Sequence, residues 1–482
     1  MIMASDKEKQ TNQTGRIRTA GSVRYLPHVT GAMSRASYWS DKVSDPKKLL
    51  AGRDEIAELN RSILEKSAEM TDMAAWEETG YDAPEMVAGL LGRAARDAAF
   101  LKKAGAIYGD DGAETDFEAV IALCVDPDVS VPASDSDDRA DTREYKFAVC
   151  TTQTTLKVYP TDRPFLDDPD EPDFDYNHLT KVKVNEPLIL RTRSQALSDG
   201  SFYYSAISPC GEGWIPADCV AVCRDKEEWL DAWDHPSDQV LVVLDGRIRT
   251  EESIAQPETS ERRLSMGTRL QLASEDEAKG RIAGRAAYNN YVVWMPVRRN
   301  DGTYEKKTAL ISENRKVSEG TPDLTAENLL SVAFNALGDV YGWGGMLGAD
   351  DCSGYIRDVY SCFGLDMPRS SNRNNGAMKT CSLKGMSDEE KASFIKKLPP
   401  GTDLVFNGHE MMLLGYEEDR IYVISPVSDL RLPGDSENTR VLGTVINTLD
   451  MWRGDDQTWL HHLYEAMIPF RIADLQHDEE QI

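Results

Sequence analysis

Apolar residues recur along this 482-residue chain at two different periods, and the switches between them outline its organisation. Between residues 48 and 105 they return every three or four positions. Ile56, Leu59 and Ile63 share one face, and Val87, Leu90, Leu91, Ala94 and Ala98 share another, which predicts amphipathic helices. Pro84, within Asp82-Ala83-Pro84-Glu85, suits a helix start. Residues 1 to about 45 are rich in Ser, Thr, Gly and Arg and read as irregular. Asp126 to Asp141 form an acidic, proline-containing run that reads as an exposed loop or boundary. The expectation for residues 1–140 is a mainly helical region.

From about residue 145 the period shortens. Tyr145 to Val158 alternates loosely and is Thr-rich, and Lys181 to Val184 and Leu188 to Leu190 read as strands. Asp199-Gly200 is a hairpin turn signal before Phe202-Tyr203-Tyr204, and Gly213-Trp214-Ile215 closes the unit. Short strands at this spacing predict a small β-barrel over residues 145–228. Val240 to Leu244, Thr268 to Leu272, Tyr291 to Val297 and Lys307 to Ile311 predict a second, divergent barrel over 236–318. Pro322 begins a third pattern over 323–482. Ile356, Val359, Tyr360 and Phe363 have helical spacing there, and Met411 to Gly415 is a continuous apolar run. The fold class expected is multidomain α+β.

Length supports several domains, and an apolar share of 40% is enough for packed cores. Lys and Arg total 54 against 82 Asp and Glu, a net charge of −28. Such a chain repels phosphates, which argues against nucleic acid or an anionic membrane as partner. No run approaches the ~18 apolar residues of a membrane span, and no signal-peptide stretch is visible near the start. The expectation is a cytoplasmic chain with no membrane insertion, or an envelope or secreted one if a leader precedes it. Eight cysteines are sparse for this length, so mostly reduced thiols are expected. No zinc set and no cofactor motif is present. The adjacent His461 and His462 would point to different sides of a helix.

The chemistry concentrates at Cys352. It lies between the glycine-rich Gly342-Trp343-Gly344-Gly345 and the helical segment that follows, so it sits near a helix N-terminus. The helix dipole and unpaired N–H groups there favour a thiolate, lowering a pKa of about 8.5. The glycines free backbone for close approach to a ligand. Gly408-His409 opens the apolar run at Met411. A Cys at a helix start with a His on a strand is what a cysteine nucleophile needs. Most cysteines, however, are inert core residues, and a lone Cys with a distant His is more often packing than catalysis.

Several ordered motifs decide between these readings. Tyr341-Gly342-Trp343-Gly344-Gly345, Asp351-Cys352-Ser353-Gly354, Pro368-Arg369-Ser370-Ser371 and Gly408-His409 with Leu413-Leu414-Gly415 resemble the NlpC-type cysteine peptidases of bacterial cell walls. The resemblance covers about residues 323–482 and implies a papain-like catalytic domain. It implies Cys352 as nucleophile, His409 as general base and Tyr341 beside the oxyanion. It implies that Asp351 and Ser353 hold the amine of an N-terminal L-alanine. The family's third catalytic position is usually His; on the strand Arg420 to Ser425 it is Ser425, which either orients the imidazole as a neutral partner or leaves the enzyme impaired. The preceding strands, with Gly213-Trp214-Ile215, resemble bacterial Src-homology-3-like domains. That likeness implies a barrel that narrows the groove, with Tyr203 or Tyr204 and Asp175 reaching the substrate amine. The activity implied is hydrolysis of the γ-D-glutamyl–L-diamino acid bond in peptidoglycan-derived peptides, without metal or cofactor. A wall-binding module without activity and an amidase on another amide are the alternatives.

Overall fold

Met411 to Gly415 lie in the strand His409–Glu417, in the middle of a seven-stranded sheet. We describe a computed structural model covering residues 18–19, 24–77, 83–126, 145–370 and 376–472. The sheet runs in the order Arg18–Thr19, Thr439–Thr448, Arg420–Leu430, His409–Glu417, Asp403–Phe406, Glu465–Ile472, Met378–Ser382. Every neighbouring pair is antiparallel except the first. Helix Cys352–Ser361 packs on His409–Glu417, and helix Arg53–Lys66 packs on Glu465–Ile472. Both contribute to one core with Met411, Met412, Leu413 and Leu414. A strand buried on both faces has no polar side to alternate with, which is why its sequence reads as one apolar run.

The helices of the N-terminal region divide between two cores. The helices Arg53–Lys66 and Ala83–Ala104 form where periodicity predicts them. They do not pack on each other as one unit. Ile56, Leu59 and Ile63 join the core of the C-terminal sheet, whereas Ala94, Ala98 and Leu101 pack with Tyr159, Phe165, Tyr203 and Trp214. Neither amphipathic helix has enough apolar surface for a core of its own. Residues expected to be irregular also hold structure. Arg18–Thr19 pairs in parallel with Thr439 and Arg440, and Trp39, 1% exposed, anchors the helix Ala36–Ser40 against Tyr422. The acidic stretch lies outside the described residues from 127 onward, as do Asp82 and Ser371.

Residues 146–222 form a second antiparallel sheet of seven strands: Lys146–Cys150, Thr154–Lys157, His178–Val182, Pro187–Arg193, Tyr203–Ser208, Gly211–Pro216 and Val220–Val222. The expected Asp199-Gly200 turn is present, with Gly200 at φ +84° and Asp199 accepting from the Ser201 N–H at 2.9 Å. Small sheets follow. Val240–Val243 pairs with Arg269–Gln271 and Val317–Glu319, and Asn290–Arg298 forms a hairpin with Tyr304–Ser312. Leu241, Val243, Leu264, Val293 and Ile311 close their shared core.

Candidate active site

Asp351 starts the helix that carries Cys352. Its carboxylate caps the first turn, accepting from the Gly354 N–H at 2.9 Å, and also accepts from the Gly344 N–H at 2.9 Å. An Asp cap satisfies donors that the helix itself leaves open. Arg369 adds a buried ion pair to Asp351 and bonds the Ser353 hydroxyl. Burial alone would raise the Asp351 pKa, but Arg369 and the two N–H groups outweigh it and hold the carboxyl below its usual range. Asp351 and Ser353 are 1% and 0% exposed. With these polar atoms engaged, both side chains organise the helix start.

The glycines before the helix make a close approach, but to protein. A Cβ on Gly344 would lie 2.3 Å from the His178 carbonyl oxygen, and one on Gly345 would lie 2.6 Å from the Lys181 nitrogen. Both have positive φ, at 57° and 90°. These residues let the loop press against the strand His178–Val182, where a ligand role was expected. Aromatic rings continue the contact: Phe174 lies 6.0 Å from Tyr341 and 5.8 Å from Trp343, and Tyr176 lies 5.6 Å from Trp343. Tyr341 is 9% exposed. Burial, then Asp351 and Cys352, push its hydroxyl pKa well up, so it stays protonated and can donate.

His409 begins its strand opposite Phe406, its ring 5.1 Å from Trp459 and 5.6 Å from Phe406. Its Nε2 lies 3.1 Å from the Ser425 hydroxyl, a fully buried side chain on the adjacent strand. The Glu410 backbone N–H bonds the Cys352 sulfur, so thiol and imidazole strand meet at the mouth of the helix. The electrostatics differ from the expected thiolate. Burial pushes the Cys352 thiol far up, and Asp351 and Glu410 push it further, against the Glu410 N–H and Arg369. Burial and Arg453 push His409 down to about 3. Desolvation and two carboxylates thus override the helix N-terminus, and the pair rests as neutral thiol and neutral imidazole.

Under the helix lies an ion network that sequence reasoning missed. Lys181 sits 2.8 Å from both Asp350 and Asp358, and Lys183 sits 2.8 Å from Asp358. Arg357 donates to Thr180 at 3.0 Å, as Arg369 does at 3.1 Å. Burial would raise Asp358, yet Lys181, Lys183 and Arg357 hold it well below the usual carboxylate range. These residues join the residue 146–222 sheet to the Cys352 helix. The Lys-Val-Lys-Val alternation read as a strand, and the facing acids make one side of it an interface.

Two further expectations are corrected. Tyr203 is 2% exposed, and its hydroxyl donates to Asp162 at 2.5 Å within the core under helix Ala83–Ala104. Asp175 is 5% exposed, accepts from the backbone N–H of Phe165 and Asn177 at 2.8 Å each, and pairs with His178 at 3.2 Å. Both are spent on holding the loop that carries Phe174. His461 and His462 face separate carboxylates, Asp388 at 3.2 Å and Asp455 at 3.0 Å. All eight cysteines are unpaired.

A Cys at a capped helix start, with a His and its hydroxyl partner on adjoining strands, is the equipment of a cysteine hydrolase. Residues 338–455 match the NlpC/P60 family, so the C-terminal part of the chain carries a domain of that type. A γ-D-glutamyl-L-lysine dipeptidyl-peptidase of Bacillus cereus is 33% identical over 109 residues. That alignment spans 22% of this chain and only 28% of the relative's length. The solved structure of an NlpC/P60 endopeptidase from Photobacterium damselae subsp. piscicida is similar over 90% of this chain and 97% of that one, with a TM-score of 0.68 at 17% identity. The fold is therefore shared across nearly the whole length. A Bacillus cereus NlpC/P60 family protein gives a TM-score of 0.41 at 14% identity over 67% of this chain and 99% of that one.

Proposed function

We propose that this chain is a cysteine peptidase that hydrolyses the γ-D-glutamyl–L-diamino acid bond of peptidoglycan stem peptides bearing a free N-terminal L-alanine. The observation that carries the reading is the Cys352 sulfur against the Glu410 N–H, one residue from a His409 ring held by Ser425. The name of the Bacillus cereus relative supports the bond. His409 Nε2–H donates to Ser425, which leaves Nδ1 to accept the thiol proton as Cys352 attacks the γ-carbonyl. Because both groups start neutral, proton transfer accompanies attack. The Cys352 N–H, open at the helix start, and the protonated Tyr341 hydroxyl stabilise the oxyanion. Collapse expels the diamino acid amine with the proton from His409. Water then cleaves the thioester, releasing L-Ala-D-Glu and the free thiol.

The acidic run Asp167 to Asp173 precedes Phe174, whose ring lies 6.0 Å from Tyr341, and its carboxylates are the ones we assign to a free amine; Glu171 also pairs with Arg440 at 3.1 Å. In this reading the run replaces Tyr203 and Asp175. A second reading, a peptidoglycan binder without activity, draws support from the raised Cys352 thiol and from Ser425 in the third position. The test is mass spectrometry of L-Ala-γ-D-Glu-L-Lys digests with free and acetylated amino ends. The expected result is L-Ala-D-Glu from the free peptide only, abolished in Cys352→Ala. No release by the wild-type chain, or equal release by Cys352→Ala, would defeat the proposal.

A further inference from the structure

A cavity of about 330 Å³ opens on the second group of strands, lined by Arg247, Ile248, Arg249, Arg263 and Arg315; Arg263 reaches from it to the Gly348 carbonyl in the loop before Cys352. In a chain of net charge −28, this concentration of guanidinium groups is local construction. Their present partners leave them short of negative charge. Arg249 donates to the Glu261 carbonyl at 2.9 Å and Arg263 to the Gly348 carbonyl at 3.0 Å, both neutral acceptors. Arg247 reaches Asp339 at 3.6 Å and Arg315 reaches Glu251 at 3.5 Å. Those separations exceed the 2.7–2.9 Å of a charge-assisted hydrogen bond. Glu251 is shared with Arg285 at 3.1 Å. The Arg263 Nε is buried and has no hydrogen-bond partner among the described residues.

The backbone is shaped to bring these charges to the catalytic loop. A Cβ on Gly246 would lie 2.1 Å from Asp339 Oδ2, and one on Gly348 would lie 2.8 Å from the Arg263 guanidinium carbon.

The structure assigns this cavity as a binding site for a phosphoryl group, of the dianionic monoester or diphosphate class, beside the loop that leads to Cys352. Four guanidinium groups line the cavity, and no carboxylate is among its described lining residues. Arginine forks match the oxygen geometry of phosphate, and the volume is at the lower end of small-ligand sites. Burial first, then Arg247 and Arg249, disfavour the charged form of Arg263 and outweigh the opposing pull of Asp339 and Asp350, a penalty that a bound anion relieves. The site is independent of the proposed peptidase chemistry.

Calorimetric titration of the full chain with inorganic phosphate, pyrophosphate, a sugar 1-phosphate and acetate tests the assignment. Saturable binding of at least one phosphoryl compound, with acetate at least tenfold weaker, is expected. Binding of phosphate or pyrophosphate identifies the free anion as sufficient. Binding of the sugar 1-phosphate alone identifies a phosphoryl group carried on a larger molecule. The double variant Arg247→Gln/Arg315→Gln should bind at least tenfold more weakly with an unchanged circular dichroism spectrum. Absence of binding by the wild-type chain, equal affinity for acetate, or an undiminished affinity in a folded double variant would overturn the site. Because binding alone is read, the outcome does not depend on whether the chain cleaves peptides.

Discussion

Replacing Lys181 by Met removes the ammonium that bridges two acids at the join between the residue 146–222 sheet and the Cys352 helix. Lys181 is 4% exposed and lies 2.8 Å from Asp350 and from Asp358. At that distance and an effective dielectric of about 20, each contact has a gross Coulomb attraction of about 6 kcal/mol. Desolvation offsets most of it, and breaking a buried pair by deleting one partner typically costs about 3–5 kcal/mol. Asp358 keeps Lys183 and Arg357 as partners, so the loss falls mainly on Asp350. The expected cost is therefore at the low end, about 3 kcal/mol at pH 7 in urea unfolding followed by tryptophan fluorescence. Adding Asp350→Asn to Lys181→Met removes the stranded charge and should recover about 1–2 kcal/mol. The sign with pH follows. Burial already raises the Asp350 pKa in the folded chain, and losing Lys181 raises it further. The cost is then full above that raised value and shrinks as acid neutralises the carboxyl. A single-variant cost under ~1 kcal/mol, or a double variant no more stable than the single one, would refute this account of the interface.

The remaining expectations are narrower. Ser425→Ala should lower kcat about 10- to 100-fold by freeing the His409 tautomer, yet change stability by only about 1 kcal/mol, the net worth of one hydrogen bond; steady-state kinetics with a thermal melt separates the two. Gly345→Ala must place a Cβ 2.6 Å from the Lys181 backbone nitrogen at φ +90°, so it should cost at least about 2 kcal/mol and reduce activity in step with stability. His409 is depressed to about 3 from 6.5, so the unfolded chain binds the extra proton between those values. Its contribution is whole above pH 6.5 and lost as pH falls toward 3. Comparing the acid limb of stability for the wild type and His409→Asn should show a shallower slope in the variant, and identical slopes would remove His409 from that role.

How much of the site was legible depended on how local its causes are. The helix at Cys352 could be read because an apolar stripe and a glycine-rich approach lie within about 20 residues of one another, whereas the Asp351 cap emerged only in the structure. The strand after His409 could be read because burial on both faces leaves no alternation. The ligand role expected for Gly344 and Gly345 failed for a different reason. Glycine reports that something comes near the backbone, and only coordinates show that it is His178 and Lys181. Tyr203 and Asp175 were misplaced similarly: residue type announced an aromatic and an acid, but Asp162 and the Phe165 and Asn177 amides had already claimed them.

By itself the sequence determined the period of the helix that starts at Cys352 and of the strand that starts at His409, since period depends on neighbours close along the chain. Tertiary structure alone decided the charge state of Cys352 and His409, the split of the N-terminal helices between two cores and the pairing of Lys181 with Asp350, 169 positions away. Desolvation and Coulomb interaction follow distance in space, and no local pattern of residues encodes which distant side chains will share it.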